Sequence, residues 1–274
     1  MFQPRAIMVT KENVLLVGRQ NGGVTSHINA LTATDATLAT RITEGTDSKL
    51  EAPISFAYDQ ANDTLYVGNI NADEGILVFN NVSMSTFTGD LIPDGKFNPD
   101  DRSPTNTTDM TIDAMWPDSD GVLYVSDTSG LNVNRSRVLI FKTPGTASGE
   151  TVPDGILESM DWANIEDIAV DTLGNLYIVD GTETIKRVDD AQNQTGNVTP
   201  DVVLTVPGSL VDLAGITITS ENVCYVADMG NDEIHSILNI DTLATSTITP
   251  ATTISGNDTG LFTPRQLWFV EDVD

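Results

Sequence analysis

The chain has 274 residues, 39% of them apolar, which is enough to bury a core; it has no apolar run of about 18 residues, so nothing in it is expected to insert in a membrane. Forty Asp and Glu stand against thirteen Lys and Arg, a net charge of −27, and such a surface repels nucleic acid and anionic lipid, excluding both as partners. The single cysteine, Cys224, excludes an internal disulfide, and the opening MFQPRAIMVTKEN lacks the charged-then-apolar pattern of a secretory leader.

In chain order, four short apolar runs recur five times. The first set is PRAIMVT (4–10), ENVLLVGRQ (12–20), TSHINAL (25–31) and TLATRIT (37–43). The second is PISFAYD (53–59), NDTLYVGNI (62–70), GILVFNN (75–81) and GDLIPDGKF (89–97). A polar insertion, NPDDRSPTNTTD (98–109), precedes the third: DAMWPD (113–118), DGVLYVSDT (120–128), RVLIFKT (137–143) and GETVPDGIL (149–157). The fourth is EDIAVD (166–171), LGNLYIVDG (173–181), TIKRVDD (184–190) and GNVTPDVVL (196–204). The fifth is AGITIT (214–219), ENVCYVADM (221–229), EIHSILN (233–239) and STITPATTI (246–254).

Every run is short, rich in Val, Ile, Thr, Tyr and Phe, and bounded by Gly, Asn, Asp or Pro, which is strand chemistry. Equivalent positions are Leu15, Leu65, Leu123, Leu176 and Cys224, separated by 50, 58, 53 and 48 residues. Four strands per period of about fifty is the signature of a blade array. Between the first and second strands, KEN, DSDG, DTLGN and SEN read as tight turns, where Asp bonds its own backbone and Gly or Asn accepts positive φ. The tyrosines that follow, Tyr66, Tyr124, Tyr177 and Tyr225, are expected in the core, since one blade buries its faces only against its neighbours.

IEDIAVDTLGNLYIVDGTETIKRV (165–188) and APISFAYDQANDTLYVGNINADEGILVFNNVS (52–83) resemble the NHL-type repeat of β-propellers, and the resemblance extends over essentially the whole chain. It implies one all-β propeller domain over 1–274, with repeats at about 4–45, 52–97, 111–157, 165–207 and 213–256. Repeat 1 departs most, with Arg19 where the others have Asn69, Asp127, Asp180 and Asp228.

Aligned repeats place Arg5, Ile54, Asp113, Glu166 and Ala214 at one inner position and Ala6, Ser55, Ala114, Asp167 and Gly215 at the next. Asp113, Glu166 and Asp167 then form an acidic cluster whose oxygens suit calcium, the one cofactor the sequence suggests; none is required. The propeller fold of gluconolactonases and senescence-marker proteins is similar, and there Glu166 and Asp113 would stand for metal-binding Glu and Asp; no Asn aligns with them. His27 and His235 fall in third strands, away from the axis, as side chains of partly exposed strands, and Cys224 reads as a small buried hydrophobe.

After the fifth repeat, TPRQLWFVEDVD (263–274) echoes QPRAIMVTKEN (3–13) as a sixth copy of the inner strand. With it the array is five-bladed, or six-bladed with the last blade incomplete or completed by a partner. Arg265, Leu267, Trp268, Phe269 and Val270 are the candidate assembly strand, which either belongs to a longer array, folds back on its own propeller, or adds to a neighbouring subunit. The expected role is a non-catalytic extracellular or cell-surface module acting in interaction or self-assembly, with a metal-dependent hydrolase or lactonase at the acidic cluster as the alternative.

Overall fold

The computed structural model describes residues 3–20, 27–32, 38–43, 50, 53–69, 75–83, 87–99, 112–128, 136–162, 164–205, 210–244 and 247–269. The fold is all-β, a five-bladed propeller arrangement of mixed sheets. Blade 1 is Gln3–Val9, Val14–Gln20, His27–Thr32 and Leu38–Thr43; blade 2 is Pro53–Asp59, Thr64–Asn69, Ile76–Asn80 and Gly95–Pro99. Blade 3 is Met115–Pro117, Leu123–Asp127, Arg137–Phe141 and Gly155–Glu158. Blade 4 is Asp167–Val170, Leu176–Val179, Thr184–Val188 and Val202–Thr205; blade 5 is Leu213–Ile218, Cys224–Asp228, Glu233–Ile237 and Thr252–Ile254. Two compact units are formed, Met1–Val125 with Leu139–Asp154, and Ser126–Val138 with Gly155–Glu271. In the first, the inner strands of blades 1 and 2 pack together; in the second, those of blades 4 and 5 do.

The turn between first and second strands carries the expected chemistry. Its left-handed position is Asn13 (φ 57°), Asp63 (51°), Gly121 (79°), Gly174 (81°) and Asn222 (58°), one per repeat. In blade 4, Asp171 accepts the N–H groups of Leu173 and Asn175, each at 2.9 Å, and the Tyr177 hydroxyl at 2.9 Å. The Asp and Tyr of the repeated phrase are therefore one structural unit. Tyr66, Tyr124 and Tyr177 are buried. Tyr225 differs: it stays half-buried, and its ring stacks on Phe269 at 5.7 Å.

The fourth runs are divided by their prolines. In repeats 3 and 4 the residues before Pro153 and Pro200 leave their own blade, and Gly149–Thr151 pairs in parallel with Gly95–Pro99, Gly196–Asn197 with Gly155–Glu158. Thr247 of repeat 5 makes one parallel bridge to Thr205. Each of these repeats thus clasps the outer edge of the blade before it. After the proline the chain returns to its own blade: the N–H groups of Asp154, Asp201 and Ala251 donate to Ile140, Arg187 and Ser236 oxygens, each at 2.8 Å. The side chains of Asp94, Asp154 and Asp201 accept from the N–H groups of Asn80, Lys142 and Asp189 at 2.7, 2.8 and 2.9 Å. Repeat 5 has Ala251 there, and its outer strand Thr252–Ile254 is exposed at all three residues, with no clasp on it among the described residues.

Candidate functional site

The inner strands begin with a bulge, and the aligned positions sit on it. Pairing skips Arg5, Ile54 and Ala214, and resumes as Ala6 opposite Gly18, Ser55 opposite Gly68, and Gly215 opposite Ala227. In blade 4, Glu166 donates its N–H to the Val179 oxygen at 2.9 Å while Asp167 pairs with the same Val179. Bulges re-aim side chains at strand ends.

Asp167 is enclosed by backbone. Its Oδ1 accepts the Ile168 N–H at 2.9 Å, and its Oδ2 accepts the Ile216 N–H at 3.0 Å, tying blade 4 to blade 5. The residue keeps some exposed surface, but protein encloses its carboxyl group, and this burial pushes the pKa up to about 7 against the two N–H bonds; Glu166 pushes the same way. The folded state therefore holds the Asp167 proton more tightly than the unfolded chain, whose value is 3.8. The linked stability is present below about pH 4 and is lost as pH rises towards 7. A melting-temperature profile of wild type against Asp167→Asn is expected to show that decline in wild type only; parallel profiles would remove this assignment.

Glu166 is half-buried and faces the terminal segment. Arg265 NH1 lies 3.6 Å from its Oε2, and Asn164 Nδ2 donates to its Oε1 at 3.4 Å. Asp113 belongs to the first compact unit, ahead of Met115–Pro117, and is partly exposed. Among the described residues no group of three or more His, Cys, Asp or Glu is arranged to hold a metal ion.

Residues 263–269 add no strand to any sheet. They lie on the second unit's own blades. A Cβ built on Gly215 would overlap the Arg265 carbonyl and come 3.3 Å from Gln266 Cα. Since Cβ atoms point out of the pleat, the segment crosses the face of the inner strand instead of pairing along its edge. Thr263 donates its N–H to Asp232 at 2.6 Å, and Phe269 covers Tyr225. Leu267 and Trp268 are half-buried and Arg265 is exposed. Thr263–Phe269 thus lies across its own blade 5 within this single chain; Val270 lies outside the described residues.

Third strands carry a feature the sequence reading missed. In blades 3 and 4 the acid at the end of the second strand pairs with a buried cation of the third, and in blade 5 it lies near a buried histidine. Asp180 binds Lys186 Nζ at 2.8 and 2.7 Å, and Asp127 binds Arg137 Nε and NH2, each at 2.7 Å. Asp228 lies 4.0 Å from His235 Nε2 and accepts from the N–H groups of Val211, Asp212, Gly230 and Asn231. His235 is consequently buried, at 1% exposure, and not on a partly exposed strand as its sequence neighbours suggested. Cys224 is buried as expected, and burial pushes its thiol pKa well above the ordinary range.

No protein-family model matches the chain, and no curated protein matches it. Solved structures do. A chain in the crystal structure of a nidogen/laminin complex is similar with a TM-score of 0.61 at 14% identity, over 97% of this chain and 84% of that one. Kuenenia stuttgartiensis hydrazine synthase is similar with a TM-score of 0.53 at 11% identity, over 86% of this chain and 76% of that one. At these identities the likeness is one of fold, a distant relation among propellers.

Proposed function

We propose that this propeller is a non-catalytic interaction and self-assembly module acting at the cell surface or outside the cell. The observation that carries the reading is the terminal segment. It brings Leu267, Trp268 and Phe269 to the surface of blade 5 without joining a sheet, and Phe262 beside it is 82% exposed. Phe262 and Phe269, the exposed aromatics of this stretch, are the surface we read as the binding face. The nidogen/laminin likeness supports the reading, since that propeller was crystallised in a protein complex. The acidic surface, at −27, suits a salty medium or a cationic partner. Light scattering of the full chain is expected to show association that grows with concentration. A single monomeric mass at all concentrations and at raised salt would sink the self-assembly part.

A second reading, a metal-dependent hydrolase or lactonase using Glu166 and Asp167, draws on the raised pKa of Asp167 beside a second carboxylate, a pairing common in acid–base sites. Calorimetric titration with calcium separates the two: tight binding lost in Glu166→Ala favours the enzyme, and equally weak binding by both proteins leaves it without support.

A further inference from the structure

We propose that the seat formed by Glu166, Gly215, Tyr225 and Asp232 is a segment-exchange site, which accepts the Thr263–Phe269 segment of a second copy of this chain as it accepts its own. The inference rests on the self-assembly reading and names its surface.

The seat reads the segment at four points. Gly215 is the only residue type that lets the Arg265 and Gln266 backbone come so close, and its φ is not in the left-handed region, so closeness alone requires the glycine. Tyr225 supplies a flat ring for Phe269, with the planes 10° apart. Asp232 takes the Thr263 N–H, and Glu166 takes the Arg265 guanidinium.

The segment contributes no ladder, and its ion pair is exposed at 62% and 32% for the two side chains, so screening by water keeps that pair weak. The approach to the seat is a turn with no strand: residues 255–262 hold one short 3-10 helix, Asn257–Thr259, and Gly256 and Gly260 have φ of 97° and 68°. Thr263, the first residue in the seat, has φ of 47°, a strained value for a β-branched residue. Exchange lets this turn open and releases the strain. It also gives Phe262, which is 82% exposed in the closed form, a second chain to pack on. Each copy has one segment and one seat, so reciprocal exchange closes a dimer, whereas one-way exchange extends a chain of subunits.

The test swaps the exposed charges in the full chain. A Glu166→Arg copy mismatches its own Arg265, and an Arg265→Glu copy mismatches its own Glu166. Mixed, each segment meets a matching seat on the other copy. With differently tagged copies, mass photometry is expected to show 1:1 complexes forming about tenfold more tightly than either variant's homodimer. Gly215→Val in both copies, which shuts the seat, is expected to abolish them. Should that variant fail to fold, Phe269→Asp in both copies blocks the same exchange from the segment side. Wild-type association with no preference for the mixed pair and no response to the blocking variants would overturn the exchange site while leaving self-assembly standing. A wild type monomeric at every concentration would end both.

Discussion

Replacing Tyr177 by alanine is expected to lower stability by about 3–5 kcal/mol, the range for truncating a fully buried aromatic. Tyr177 is 0% exposed and ties its strand to the preceding turn. Its ring fills the core, and its hydroxyl reaches back 2.9 Å to Asp171, the residue that organises the preceding turn. Burial, with the nearby carboxylate, keeps the phenol protonated far above its usual range, so it remains a donor at all practical pH. Tyr177→Phe keeps the ring and loses the hydroxyl's bonds to Asp171 and to the Arg187 side chain, at about 1–2 kcal/mol, because Asp171 still accepts from Asn175 Nδ2 at 2.8 Å. Tyr225→Ala is expected to cost less than Tyr177→Ala, since Tyr225 is only half-buried and faces Phe269. Urea unfolding of the three variants checks the order. Equal losses at Tyr177 and Tyr225 would contradict the different environments of the two blades.

What the sequence disclosed follows from which interactions repeat locally. The phrase DTLGNLYIVDG is legible because turn and strand lie within a few residues and recur in each blade, with the tyrosine in four of the five, so their spacing alone defines the blade. The inner alignment was legible for the same reason, and the bulges at Arg5, Ile54 and Ala214 fall on the aligned column. The clasps were not read from GETVPDGIL, although the motif was visible. A single apolar run does not disclose that its first half pairs with another blade, and only the proline, which lacks an N–H, marks the division. The terminal segment has the pattern of a strand, because its Pro-Arg and apolar residues match the inner copy. The sequence does not say whether an apolar stretch meets a sheet at its edge or on its face; Gly215, read simply as an aligned inner residue, was the signal for the second. The buried pairs were half visible. The column Asn69, Asp127, Asp180, Asp228 stood out, but its partners lie in another strand, where Arg137, Lys186 and His235 look like ordinary surface residues of a polar chain.

That column supports the second large prediction. Lys186→Met is expected to destabilise by about 3–5 kcal/mol, because it strands the Asp180 carboxylate in the core. Asp180 has no exposed side-chain surface, and both its oxygens are bonded to Lys186; beyond that, its Oδ1 accepts the Thr182 hydroxyl at 2.7 Å. The loss comes from the charge left behind more than from the bond removed, so deleting both charges should cost far less than deleting one. Blade 2 already contains a neutral version of this site. Ile178 pairs with Lys186 and Val226 with His235, and at the equivalent step Val67 pairs with Leu77, while Asn69 stands in place of the acid. The double variant Asp180→Asn with Lys186→Leu copies that arrangement into blade 4. It is expected to recover at least half of the stability lost by the single Lys186→Met change, because the introduced amide oxygen can still accept from the Thr182 hydroxyl. Chemical denaturation of Asp180→Asn, Lys186→Leu and the double measures the coupling. If the losses simply add, the acid and the cation do not act as a pair, and the agreement between second and third strands across the blades is coincidence.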